Sequence, residues 1–136
     1  MPSQPPAKTT DRLAEHWRRL SLLPGAPECV INAAHRYHIE IHHPDRGGSV
    51  DDAQRVNVAR DELRGHGTAP NEHVARHYRG EPWHVLGLAA NADRTLAERA
   101  AKALASDLAE LPRLASRVAW AAEHWGEGVN VAPRAA

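Results

Sequence analysis

Phenylalanine is absent from this chain, and cysteine occurs once, at Cys29. A lone cysteine excludes an internal disulfide framework and any zinc site built on paired cysteines, and it points to a reducing compartment. With no Phe, and aromatics at only 4% of 136 residues, a core has to be filled by Ala, Leu, Val and Ile, with four Trp as the large pieces. Charge of one sign is lacking too, since 17 basic side chains face 17 acidic ones. That balance argues against a strong nucleic-acid or membrane-surface binder, because such binding rests on excess positive charge. No run of about 20 apolar residues is present to span a membrane. No segment alternates apolar and polar residues as a half-buried strand does. Residues 1–10 (MPSQPPAKTT) are polar and Pro-rich, without the apolar centre of a secretory signal, so a soluble, cytoplasmic protein is expected.

What the chain does have is helical periodicity punctuated by Pro and Gly. Leu13, Trp17 and Leu20 predict a helix over 11–21, broken by Pro24-Gly25. A second helix is expected from Pro27 to about His42, with a core stripe of Val30, Ile31, Ala34, His38 and Ile41, and ended by Pro44. Ser49 reads as the N-cap of a third helix from Val50 to about Arg64, with Asp52 as a weaker capping-box partner and Val56, Ala59 and Leu63 on one face. Further helices are predicted over 71–78, 81–86, 93–109 and 112–125. The fold class is therefore all-α. Disordered tails are expected at 1–10 and 127–136.

The order of the first half returns in the second. Trp17, Leu20, Leu22, Ala26 and Ala34 recur 66 positions later as Trp83, Leu86, Leu88, Ala92 and Ala100. After a deletion of about four residues, Arg55-Val56 and Ala59 recur as Arg117-Val118 and Ala121. This pattern has the form of a diverged internal duplication.

Between the second and third predicted helices stands His43-Pro44-Asp45, followed by Arg46-Gly47-Gly48. A His and an Asp held apart by a rigid Pro at the tip of a helical hairpin make a small polar probe. Around it lie Trp17-x-x-Leu20-x-Leu22-x-Pro24-Gly25-Ala26, then Ala34-His35-Arg36 leading to His42, and then Arg55-Val56-Asn57-Val58-Ala59 running to Leu63. In that frame, residues 11–65 resemble a J domain, the module by which DnaJ-type co-chaperones engage a DnaK-type ATPase. The resemblance implies an antiparallel helical hairpin over 11–65, a linker with a short helix over 66–80, and a degenerate J-like three-helix repeat over 81–126.

By the same resemblance, His43, Pro44 and Asp45 would contact the ATPase and promote ATP hydrolysis. In the family the Asp engages an Arg between the chaperone's nucleotide- and substrate-binding parts. Arg46, Arg36, His35 and His42 complete the expected partner-binding set. The chain itself would not be an enzyme, and no cofactor or metal is expected. The alternative is a non-catalytic protein-interaction module on a J fold that no longer couples to ATP hydrolysis.

Several positions depart from the family. The second helix, usually rich in Lys and Arg, carries Arg36 against Glu28 and Glu40, with His35, His38 and His42 alongside. Its electrostatic steering of a partner is expected to be weak. Ala53 stands where a ring commonly packs the hairpin, so an underfilled core is expected there. The second half has Ala109-Glu110-Leu111 where the tripeptide would fall, and reads as structural cover or as a separate docking surface. Trp83, Trp120 and Trp125 fit either a core or a patch. His35, His38 and His42 share a helical face at a spacing that can ligate a metal, although a polar face is the favoured reading. A hydrolase built on His43 and Asp45 would lack a nucleophile at any informative spacing.

Overall fold

A computed structural model describes residues 13–125, and the regular structure among these is helical apart from one isolated backbone bridge. The tails predicted at 1–10 and 127–136 lie outside the described residues. In chain order the helices are α1 (13–19), α2 (Glu28–His42), α3 (Val50–Leu63), α4 (Pro70–Arg76), α5 (Pro82–Leu86), α6 (Arg94–Asp107) and α7 (Pro112–Glu123), with a 3-10 turn at Pro44–Arg46. No helix among them is long and apolar enough to cross a membrane.

Local chemistry sets the boundaries. Pro27 caps α2 in an extended conformation, and Pro70, Pro82 and Pro112 open α4, α5 and α7, where a missing N–H costs nothing. Ser49 Oγ accepts the Asp52 N–H at 2.9 Å to start α3, and Asp93 accepts the Thr95 N–H at 3.1 Å to start α6. Helix α1 ends before the Pro24-Gly25 break that the sequence suggests. Ser21 takes the left-handed conformation (φ 61°), the Leu22 N–H reaches the Trp17 carbonyl (2.8 Å), and the Ser21 N–H reaches Arg18 (2.9 Å). This is a Schellman closure on a residue other than glycine. The same closure occurs 66 positions later: Gly87 (φ 76°), Leu88 to Trp83 (3.0 Å), and Gly87 to His84 (3.2 Å).

The two closures meet. The Leu23 N–H donates to the Gly87 carbonyl and the Ala89 N–H to the Ser21 carbonyl, each at 2.9 Å, which pairs Leu22 with Leu88 antiparallel. Both leucines are buried, and one continuous core runs through both halves. Helix α2 is central, packing against α3 on one side and α6 on the other. Buried Val30, Ile31 and Ala34 from α2 meet Val56, Ala59 and Leu63 from α3 at the base of this hairpin. From the second half come Leu96, Ala100, Leu104, Val118, Ala121 and Trp125. The Trp125 indole N–H donates to the Ala92 carbonyl at 3.1 Å, so this tryptophan is core, while Trp83 and Trp120 are half-buried.

The expected α2 stripe needs correction at its C-terminal end. Ile41 is 45% exposed and His38 only partly covered. The buried residues of α2 and α3 all lie toward the base, and in the last turn of α2 Ile39 packs against the core only partly buried while Ile41 stays outside it. At the same tip, Val50 is 59% exposed. The segment joining the halves does more than tether them, since α4 buries His73 and Val74 in the common core.

Candidate functional site

The tip of the α2–α3 hairpin is built from three stops in succession. Helix α2 ends at His42, and His43 turns extended (φ −65°, ψ 135°), as a residue preceding proline must. Pro44 then opens the 3-10 turn. The His43 carbonyl accepts two N–H groups, from Arg46 (2.9 Å) and Gly48 (3.0 Å), which closes the loop on itself. Gly48 lies directly on the His42 backbone, and a Cβ there would collide with the His42 carbonyl. No other residue fits that approach.

Within this frame His43 and Asp45 face solvent together. The Asp45 N–H donates to His43 Nδ1 at 3.1 Å, which leaves Nε2 to carry the outward proton of the neutral ring. The Asp45 carboxylate lies 3.7 Å from the same Nδ1, with its side chain 90% exposed against 51% for His43. Asp45 is thus presented as an acceptor with an open approach, able to take a bidentate guanidinium from a partner.

The rest of the expected partner-binding set separates. Arg46 stays at the tip, exposed, and its charge reaches Glu40 one turn back on α2. His42 turns toward α3, with Nδ1 3.9 Å from Asp52 Oδ2. His35 does so more firmly: its Nε2–H donates to Asn57 Oδ1 at 2.7 Å, which binds α2 to the middle of α3. His38 points inward, 3.3 Å from Ser21 Oγ, and burial holds its imidazole below the usual value. The three helical imidazoles therefore have three different partners. Arg36 faces out on the opposite edge, toward α6.

Around Arg36 two open clefts flank the outer ridge of α2. One, of about 610 Å³, runs between α2 and α6 past Cys29, Ala33, Arg36, Glu40, Arg99 and Lys102. The other, of about 530 Å³, runs between α2 and α3 past Asn32, His35, Arg36, Ile39 and Arg60. Arg99 bonds Glu40 at 2.9 Å, and that guanidinium holds the Glu40 carboxyl below its usual value. Burial, reinforced by Asp107, pushes the Cys29 thiol up to about 12, so it stays protonated and unreactive.

Arg60, Arg99 and Lys102 were not singled out by the sequence, and Arg99 and Lys102 come from outside the hairpin. Lys102 left one trace in the sequence: it falls 66 positions after Arg36. A second group that the sequence reading did not single out is His73, His77 and His84, although His73 and His77 stand at helical spacing. His73 is 2% exposed and donates through Nε2 to the His84 carbonyl at 2.9 Å, with the His77 ring 4.5 Å from its own. Comparison with protein-family models, curated proteins and solved structures gave no match.

Proposed function

We propose that this chain is a J-type co-chaperone that binds a DnaK-type ATPase and stimulates its ATP hydrolysis through His43-Pro44-Asp45. The observation that carries the reading is the framed, outward presentation of His43 and Asp45 on a self-closed turn between two antiparallel helices. The frame contributes as well. Asn57 of the Asn-x-Ala pattern bonds α2, and Ala59 of the same pattern is buried beneath it. On this reading the loop adds no chemistry of its own. Asp45 supplies a charge at a fixed angle, and a preset geometry limits the ordering cost of pairing it with a partner's Arg.

The second half is, on the same reading, a degenerate J-like repeat that has lost the probe. Its supports are the matching helix closures 66 positions apart and the start of α6 at Arg94, 66 after Glu28. Ala109-Glu110-Leu111 offers no His–Asp pair, so stimulation belongs to the first half.

Steady-state ATP turnover by a purified DnaK-type chaperone tests this directly. The wild-type chain raises turnover, and His43→Gln or Asp45→Asn returns it to the level of the chaperone alone. Equal turnover with wild type and both variants would overturn the reading in favour of a J fold used only for interaction.

A further inference from the structure

The groove between α1 and α3 stands open, while its counterpart in the second half is filled. Glu15, His16 and Arg19 of α1 face Asp51, Arg55 and Val58 of α3 across a cleft of about 350 Å³. Val58 is the one apolar side chain lining it and is 52% exposed. Arg19 and Arg55 balance Glu15 and Asp51, and Asp51 pairs with Arg55 at 3.3 Å. Of the other charged side chains on these two helices, Asp52 meets His42, Arg60 meets Asn32 and Asp61 meets Arg64. Arg18 and Glu62 are left, again one of each sign. In the second half Arg55 and Val58 correspond to Arg117 and Trp120 of α7, and Glu15 to Glu81 at the start of α5. There Trp120 is half-buried against the core, and the Arg117 guanidinium lies over its ring, 3.7 Å from the centroid. The same guanidinium lies 5.1 Å from the Tyr78 ring, and its Nε donates to the Tyr78 carbonyl at 2.6 Å. An aromatic side chain beside this arginine, and a second laid against it from the preceding segment, occupy the place that Val58 leaves empty in the first half.

We propose that the α1–α3 groove docks a segment of a partner protein that presents an aromatic side chain, its ring laid on the Arg55 guanidinium beside Val58. The chain supplies its own example of that contact in Arg117 with Trp120 and Tyr78. A planar guanidinium takes the face of an aromatic ring in a way that it cannot take an aliphatic group. A groove without net charge favours neither an acidic nor a basic segment, and it offers phosphates no positive field, so nucleic acid fits less well. At about 350 Å³ the cleft has room for a side chain and its flanking backbone rather than for a folded element. The docking site rests on the second half being a repeat of the first. It does not require the His43 tip to stimulate an ATPase.

Amide NMR spectra of the isotope-labelled full chain, titrated with a Gly/Ser peptide carrying a single Trp, test this. The shifts cluster at His16, Arg19, Arg55 and Val58, and a sibling peptide with Leu in place of Trp causes far smaller ones. Arg55→Ala weakens binding by about two- to fivefold. Val58→Trp, which fills the groove with the side chain found in the repeat, blocks it. Circular dichroism checks that both variants stay helical. Shifts that are absent, scattered over the surface, equal with the Leu peptide or unchanged by Arg55→Ala would overturn the docking site, as would an oligothymidylate that moves the same amides more strongly. A chain lacking residues 1–10 keeps every described residue. Binding by that shortened chain alone would assign the groove to the chain's own N-terminal segment and overturn the partner. If Arg55→Ala weakens binding but Val58→Trp does not block it, the groove stands and its likeness to the repeat fails.

Discussion

A buried histidine shows how much a single residue can set. His73 is sealed in the core, and burial first, then the neighbouring His77, pushes its pKa down to about 4, although its bond to the His84 carbonyl opposes the fall. In the unfolded chain the ring would titrate near the ordinary 6.5. Between those values the unfolded state binds the extra proton. The contribution of His73 to stability is therefore fully present above about pH 6.5 and is lost as pH drops toward 4, by about 3 kcal/mol over the window. Urea denaturation at a series of pH values measures this, and His73→Gln flattens the profile over the upper part of the window. Gly87 is a second such position. Its φ of 76° is strained for other residues, and an added Cβ would press on Ala26, Pro27 and His73 at 3.2–3.3 Å. Gly87→Ala costs more than about 1 kcal/mol, read from the shift in melting temperature. Ser21 takes the corresponding conformation with His38 Nε2 3.3 Å from its hydroxyl.

At the scale of elements, helices with a strong stripe and a cap were legible from the sequence. Ser49 caps α3, and Val56, Ala59 and Leu63 are its buried face. Proline starts were equally plain, because the residue itself forbids the alternatives. The end of α1 was not, since a left-handed serine leaves no compositional mark. Ile41 was misplaced for a related reason: periodicity tells which side of a helix a residue occupies, not how far its neighbour extends to cover it. The apolar hold on helix α3 comes from those three buried residues, while Val58 is 52% exposed. Leu63→Ala therefore costs about 2–5 kcal/mol and loosens the hairpin that carries the tip. Val58→Ala stays within about 0.5 kcal/mol. Chemical denaturation of the two variants makes the comparison.

The whole molecule depends on contacts that no local window contains. Helix α2 is sandwiched between helices from both halves, so the surroundings of Arg36 are set by residues far from it in sequence. The tip was readable because its residues are consecutive, and His43 and Asp45 are indeed side by side. The surroundings of Arg36 were not, because Arg60 and Lys102 come from other helices and only the packing brings them to the clefts beside it. The pairing of Leu22 with Leu88 has a consequence of a different kind. The exposed turn at Arg64–Gly65 links two parts that hold each other by buried surface and by backbone pairing on either side of the link. A trypsin-type cut after Arg64 leaves two fragments that still elute as one species under native conditions and part only in denaturant. Covalent continuity is then dispensable once the chain has folded, and the molecule behaves as a split protein, reassembling from separate pieces through the seam at Leu22 and Leu88.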